Sequence, residues 1–175
     1  EVRRTAENIT WVSDARVRKE WPDTVRVEVR EFVPVAHWTD GRLVGSNRVP
    51  FEVPGADEIQ GLPWLEGPEG SLEEVLEAWL AFDQLLLPTG QPVDRLRLDR
   101  RGSWSLVLAN GTRVELGREA ARERLARMVA SWNELLRVRG RVPLRVDLRY
   151  SNGFAVRWPE EAVDPGRELA GIDRR

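Results

Sequence analysis

The residues able to do chemistry are few. His37 is the single histidine and cysteine is absent. Nucleophilic arrangements that need an imidazole beside a hydroxyl or thiol therefore have almost no parts, and thiolate metal sites and disulfides have none. His37 stands beside Trp38 in an apolar run, where a packed or surface imidazole is a simpler reading than a catalytic one. The glycines form neither a GxGxxG nor a GxxxxGK[ST] phosphate cradle. Asp94 and Asp99 share a predicted strand, but their odd spacing points them to opposite faces, so they cannot act as a pair. Nothing else selects a two-carboxylate glycosidase. The eight tryptophans sit at positions that read as core or turn anchors rather than as a sugar-stacking stripe. These residues favour a binding or scaffold module with no catalytic residue, no metal and no cofactor.

Charge adds a second constraint. Between Arg48 and Arg95 there is no basic residue but ten acidic ones, from Glu52 to Asp94, while the remaining segments carry 27 basic against 19 acidic residues. An arginine-rich part of this kind meets either an acidic partner or the chain's own acidic stretch, and the second is the simpler expectation. No basic cluster carries aromatics in a nucleic-acid-binding pattern. Lys19 is the only lysine, a bias that reflects base composition more than function. At 175 residues with 41% hydrophobic and 32% charged content, the chain can bury one core or two small ones. No run approaches the length of a membrane span, and no secretory signal pattern is read.

The elements that must position any site follow from periodicity. Residues 1–10 read as the end of a short helix. Residues 14–21 and 24–33 read as a hairpin across Trp21-Pro22-Asp23-Thr24, a type I turn with Pro22 at its second position. A strand continues to Trp38, interrupted by Pro34, which belongs at an edge or a bulge and marks the expected boundary between two units. Thr39–Gly70 is turn-rich, with short strands around Leu43–Val44 and Val49–Val53. Ser71-Leu72-Glu73-Glu74 has the form of a capping box, opening a helix with Leu72, Val75, Leu76, Trp79, Phe82 and Leu86 on one face, ended by Pro88 and Gly90. A strand over Val93–Asp99 leads to a hairpin at Asn110-Gly111, with Trp104, Leu106 and Leu108 on one arm and Val114 and Leu116 on the other. Ala121, Leu125, Met128, Val129, Trp132 and Leu136 define a second amphipathic helix that stops at Gly140.

The last structured stretch is RVPLRVDLRYSNGFAVRW, residues 141–158. Val142, Leu144, Val146, Leu148 and Tyr150 alternate with polar residues and Pro143, and Asn152-Gly153 suits a type I′ turn. With that two-residue turn Tyr150 faces Ala155. Leu148, Tyr150, Ala155 and Arg157 then share one face, and Phe154, Val156 and Trp158 share the other with Asp147, Arg149 and Ser151. Apolar residues on both faces of a final strand suggest a free edge that something else covers, while on the pattern alone an ordinary core hairpin is the simpler reading.

Five segments, TWVSDARVRKEWPDTVRVEVREFVPVAHW, LPWLEGPEGS, RRGSWSLVLANGTRVELGRE, RLARMVASW and VDLRYSNGFAVRW, occur in the order found in the FtsQ (DivIB) family of bacterial cell-division proteins, and the chain resembles the periplasmic part of its proteobacterial form over residues 10–158. The resemblance implies an α+β chain. Residues 1–35 would be the C-terminal part of a POTRA domain (an α-β-β remnant), and residues 36–158 a β domain with a curved mixed or antiparallel sheet and two amphipathic helices. The tail, residues 159–175, is expected to be disordered. A cytoplasmic tail, one membrane helix and the first POTRA strand and helix would precede Glu1 in the full-length protein, and the POTRA part, lacking them, is expected to be unstable alone. The loop VGSNRVPF departs from the family's usual form.

The resemblance further implies a non-enzymatic divisome scaffold, anchored in the inner membrane and working at its periplasmic face at the septum. Its partners would be FtsB and FtsL, with other division proteins, and no nucleic acid. FtsB would add a strand to the last β-strand, with a helix lying nearby. The matching positions are Tyr150, Ser151, Asn152, Gly153, Phe154, Val156 and Trp158, and Arg101 matches an arginine that pairs with an acid of FtsB. For Tyr150 and Trp158 the competing role is packing within the hairpin. Two other classes compete with this reading: a POTRA-bearing outer-membrane assembly or secretion component, which calls for further repeats or a barrel, and a periplasmic cell-wall hydrolase, which calls for a carboxylate pair in a cleft.

Overall fold

A computed structural model describes residues 10–160. The helix expected over residues 1–10 and most of the tail expected to be disordered lie outside them. The chain forms two sheets. The first is a hairpin of β1 (Val12–Glu20) and β2 (Thr24–Glu31). The Glu20–Thr24 pairing encloses three residues, and the Trp21–Pro22 bond is cis.

The second sheet has nine strands: β3 (Pro34–Trp38), β4 (Arg42–Gly45), β5 (Pro50–Phe51), β6 (Trp64–Glu66), β7 (Val93–Leu98), β8 (Trp104–Leu108), β9 (Arg113–Gly117), β10 (Arg145–Asp147) and β11 (Ala155–Arg157). Their spatial order is β11-β10-β9-β8-β7-β6-β3-β4-β5. Pairs β3/β6, β6/β7 and β9/β10 are parallel and the others antiparallel. Pro34 falls at a register shift between β3 and β4, which spares the ladder the N–H that proline lacks. Strand β6 is missing from the sequence expectations. Its three residues lie between Pro63 and Gly67-Pro68, where turn chemistry hides a strand that pairs on both sides.

Helix α1 (Leu72–Leu86) crosses from β6 to β7 and α2 (Ala121–Arg139) from β9 to β10. Both crossovers join neighbouring parallel strands and advance across the sheet in the same direction, so crossovers of one hand place both helices on one face. They pack on each other and on the sheet, burying Trp38, Leu65, Val75, Leu86, Leu96, Leu106, Leu116, Met128, Trp132 and Val146 in the main core. A second cluster of Leu43, Phe51, Val53 and Ala56 lies beside it. Phe32 stacks on Phe51 at 4.2 Å and Trp11 meets the same ring edge-on, which ties the first hairpin to the β4–β5 region. His37 is buried, stacked on Trp64 at 4.0 Å, with Nε2 placed 2.9 Å from the Ile59 carbonyl; it packs.

Two helix signals resolve differently. The capping box at Ser71 does not form, because the hydroxyl donates instead to the Pro68 carbonyl at 2.7 Å. Gly140 does close α2, donating its N–H to Leu136 O from φ 62°.

Three hairpins share one turn. In β7–β8, β8–β9 and β4–β5 a three-residue loop ends in a left-handed residue, the form of a type I turn followed by a bulge. That residue is Gly102 (φ 77°), Gly111 (φ 85°) and Arg48 (φ 63°) respectively. Glycine takes this conformation freely; arginine does so at a cost of roughly 1 kcal/mol. Arg48 is held there by an ion pair with Glu73 at the start of α1, and both groups are about half exposed. An exposed pair contributes about 0–1 kcal/mol. Arg48→Gly should therefore unfold at the same denaturant midpoint or a higher one, by up to about 1 kcal/mol. A loss of that size would show instead that the Glu73 contact dominates.

Candidate functional site

The site predicted from sequence lies where the nine-stranded sheet ends. Strand β11 is its last strand, paired on one side with β10 and on the other with no strand among the described residues. The register is Arg145↔Arg157, Val146↔Val156 and Asp147↔Ala155. This corrects the expected hairpin. The type I′ turn is absent, since neither Asn152 nor Gly153 has positive φ. Residues 148–154 make a seven-residue connection, displacing the register by three.

An odd displacement exchanges the faces of a strand. Val156 now lies opposite Val146, and Phe154 and Val156 pack against the main core. Leu148, Phe154 and Val156, which looked divided between two faces, are gathered against the main core, while Tyr150 and Ala155 stay exposed. Burial of Val146 and Leu148 overrides the local Asn-Gly signal.

The predicted residues separate into two groups. Tyr150, Ser151 and Asn152 are exposed in the connection, Tyr150 being 58% accessible. Together with Gly153, Phe154 and Ala155 they line a shallow depression. Arg127 of α2 fixes this connection by donating to the Ser151 carbonyl at 2.7 Å. Val156 and Trp158 instead line an apolar groove of about 270 Å³ with Ser131, Glu134, Leu135, Val138 and Arg139 of α2. The sequence reading missed the helix side of this groove. Its signal was present: Val138 falls outside the core stripe of α2 and is 67% exposed, while Leu135 lies at the edge of that stripe, packed against the main core.

Arg101 is exposed in the β7–β8 turn. The Asp99 carboxylate shapes that turn, accepting from the N–H groups of Arg101 and Ser103 at 2.8 Å each. Following strand directions, this turn and the 148–154 connection lie at the same end of the sheet, separated by three strand spacings, roughly 14 Å. Arg101 and β11 thus share an end but not a contact.

Electrostatics there are local. The Ser103 N–H bond first, then that of Arg101 and the arginine charges, hold the Asp99 carboxyl below its ordinary value of 3.8. Asp147 accepts from Arg149 Nε at 2.8 Å and Nη2 at 2.6 Å, which lowers its own value and raises that of the guanidinium. Gly117, at φ 80°, lets Arg149 and Arg124 pass close by; a Cβ there would lie 2.7 Å from Arg124 Nη1.

A depressed carboxylate stabilises the fold above its ordinary value and loses that contribution as pH falls through the lower folded value. Asp147→Asn should thus be less stable than the parent near neutral pH. The gap should begin to narrow as pH falls below about 3.8 and close once pH has fallen through the lower value of the folded carboxylate. A gap that stays constant down to about pH 2 would deny the ion pair this role.

The acidic stretch meets little of the arginine excess. Among the described ion pairs it engages Arg48, Arg95 and Arg97 through Glu73 and Glu66, while Arg137, Arg145 and Arg149 pair with acids of the later segments. No group of three or more metal-ligating side chains occurs among the described residues. No described helix is long and apolar enough to cross a membrane.

A POTRA-type hairpin followed by a mixed α+β sheet with two helices on one face defines the class of this chain. Comparison with known proteins gives the family. The POTRA domain of FtsQ type matches residues 1–32, and the family described as cell division protein FtsQ/DivIB, C-terminal, matches residues 36–149. The chain belongs to the FtsQ/DivIB family. It is 42% identical over 158 residues to a cell division protein FtsQ of Allochromatium vinosum, covering 90% of this chain and 63% of that protein. The FtsQ of Xanthomonas campestris is 38% identical, with 95% and 58% covered, and that of Escherichia coli 36%, with 90% and 60%. The chain thus spans about three-fifths of the length of these relatives. Family membership supports a role in cell division.

Proposed function

We propose that this chain is the partner-binding periplasmic region of a non-enzymatic divisome scaffold, and that it recruits FtsB, and FtsL with it, by accepting a strand along β11. Residues 1–35 would belong to the POTRA domain and residues 36–158 to the β domain. The full-length protein would be anchored in the inner membrane by one preceding helix and act at the septum. The observation that carries this reading is the unpaired outer side of β11 beside an apolar groove.

The physics is that of strand addition: main-chain hydrogen bonds give general affinity, and alternate side chains find pockets. With only three residues in β11, backbone bonds at about 1 kcal/mol net each cannot carry a stable complex alone. The groove between β11 and α2 supplies the apolar contribution, and Trp158 is its aromatic wall. Tyr150 adds a ring at the other end of the edge. Arg101, standing some way along the sheet end, suits a second contact with an acidic residue on the helix preceding the added strand. Titration of this chain with the periplasmic segment of FtsB from the same genome tests the proposal. Binding at micromolar level or tighter is expected; a folded chain that does not bind would sink it.

A further inference from the structure

The open face of the sheet carries a charge pattern visible only once the register is known. Trp64, Arg95, Val107, Arg113, Arg145 and Arg157 are successive cross-strand partners from β6 to β11. Arg113, Arg145 and Arg157 occupy three adjacent strands at spacings of about 4.8 Å, an arrangement in which like charges destabilise one another. The acids lie one row away. Glu115 pairs with Arg145 at 3.1 Å and Asp147 is held by Arg149. Arg157, the outermost of the row and exposed, has no ion-pair partner among the described residues.

We infer that the strand accepted by β11 presents an acidic side chain opposite Arg157, on the open face, with apolar residues on either side of it turned into the Val156–Trp158 groove. This rests on the strand-addition reading above and names the chemistry of its occupant. A carboxylate there ends the arginine row in an ion pair and fixes the register, because a slip by one residue exchanges it with an apolar neighbour. The same arginine disfavours a second copy of the chain as occupant. Two β11 strands paired antiparallel about residue 157 would set Arg157 against Arg157, a charge on an edge that guards it from self-association.

The test is titration with the same FtsB segment at low and high salt, using Arg157→Glu, Arg157→Gln and Trp158→Ala. Arg157→Glu should weaken binding at least tenfold at low salt and less at high salt, and Arg157→Gln about threefold. Replacing the acid of the segment by lysine should restore binding to Arg157→Glu. The variant itself should melt no lower than the parent, since its new carboxylate faces Arg145. Binding abolished by Trp158→Ala but unchanged by Arg157→Glu would overturn the inference and leave strand addition standing. Binding changed by neither would overturn both, and dimerisation of Arg157→Gln with partner affinity kept would confirm only the guarding role and contradict the inference.

Discussion

Trp158→Ala should cost the partner complex at least thirtyfold in affinity, and the free chain little stability. A ring desolvated at the centre of an interface is worth about 2 kcal/mol or more, which corresponds to that factor. Trp158 is half-buried at the end of β11, beyond the last ladder pair, and one side of its ring faces the groove rather than the core. It is absent from the main core cluster, in which Phe154 and Val156 take part. Truncation therefore empties a surface groove and opens no interior cavity. Tyr150→Ala should be milder, roughly three- to tenfold, because a ring already 58% exposed has no walls around it until the partner arrives. Calorimetric titration reads both. A Trp158→Ala chain that melts several degrees lower would return the ring to the hairpin core. An unchanged affinity would move the site elsewhere.

Trp132→Ala should produce the largest loss of stability of any single truncation in α2. Trp132 is 1% exposed, the largest of the fully buried side chains, and sits on the face of α2 that packs into the main core. Phe or Trp truncations in cores cost about 3–5 kcal/mol through lost burial and the cavity left behind, a large share of the stability of a domain this size. Helix α2 is also one wall of the partner groove, so the variant should lose partner affinity even where it still folds. Denaturant unfolding checks the first effect. A cost under about 1 kcal/mol would mean that α2 is not packed as described.

Legibility in the sequence followed physical range. Helices α1 and α2, the β1–β2 and β8–β9 arms and the bulge at Pro34 were readable, because each is set by a local period or by one residue's missing N–H. Strand β6 was not, since three residues between prolines and glycines carry no period; its place in the sheet depends on β3 and β7. The capping box at Ser71 failed for a similar reason: the hydroxyl found a nearer acceptor at Pro68. The last hairpin shows the limit most clearly. Asn152-Gly153 is a strong local turn signal, yet Val146 and Val156 had to share a buried face, and that long-range demand set the register. The candidate residues themselves came from the family resemblance rather than from periodicity. What that resemblance could not reveal was the α2 side of the groove and the row Arg113–Arg145–Arg157, which exist only once strands distant in sequence are in register.

Strand addition makes a claim about individual amides, and hydrogen exchange of residues 154–158 with and without the FtsB segment tests it most directly. The account predicts that the outward-facing amides along residues 154–158, with that of Val156 at their centre, exchange quickly in the free chain and become strongly protected in the complex, with smaller protection along Leu135–Arg139. Tight binding that leaves those amides unprotected, with protection confined to the first hairpin or to the β7–β8 turn, would contradict it.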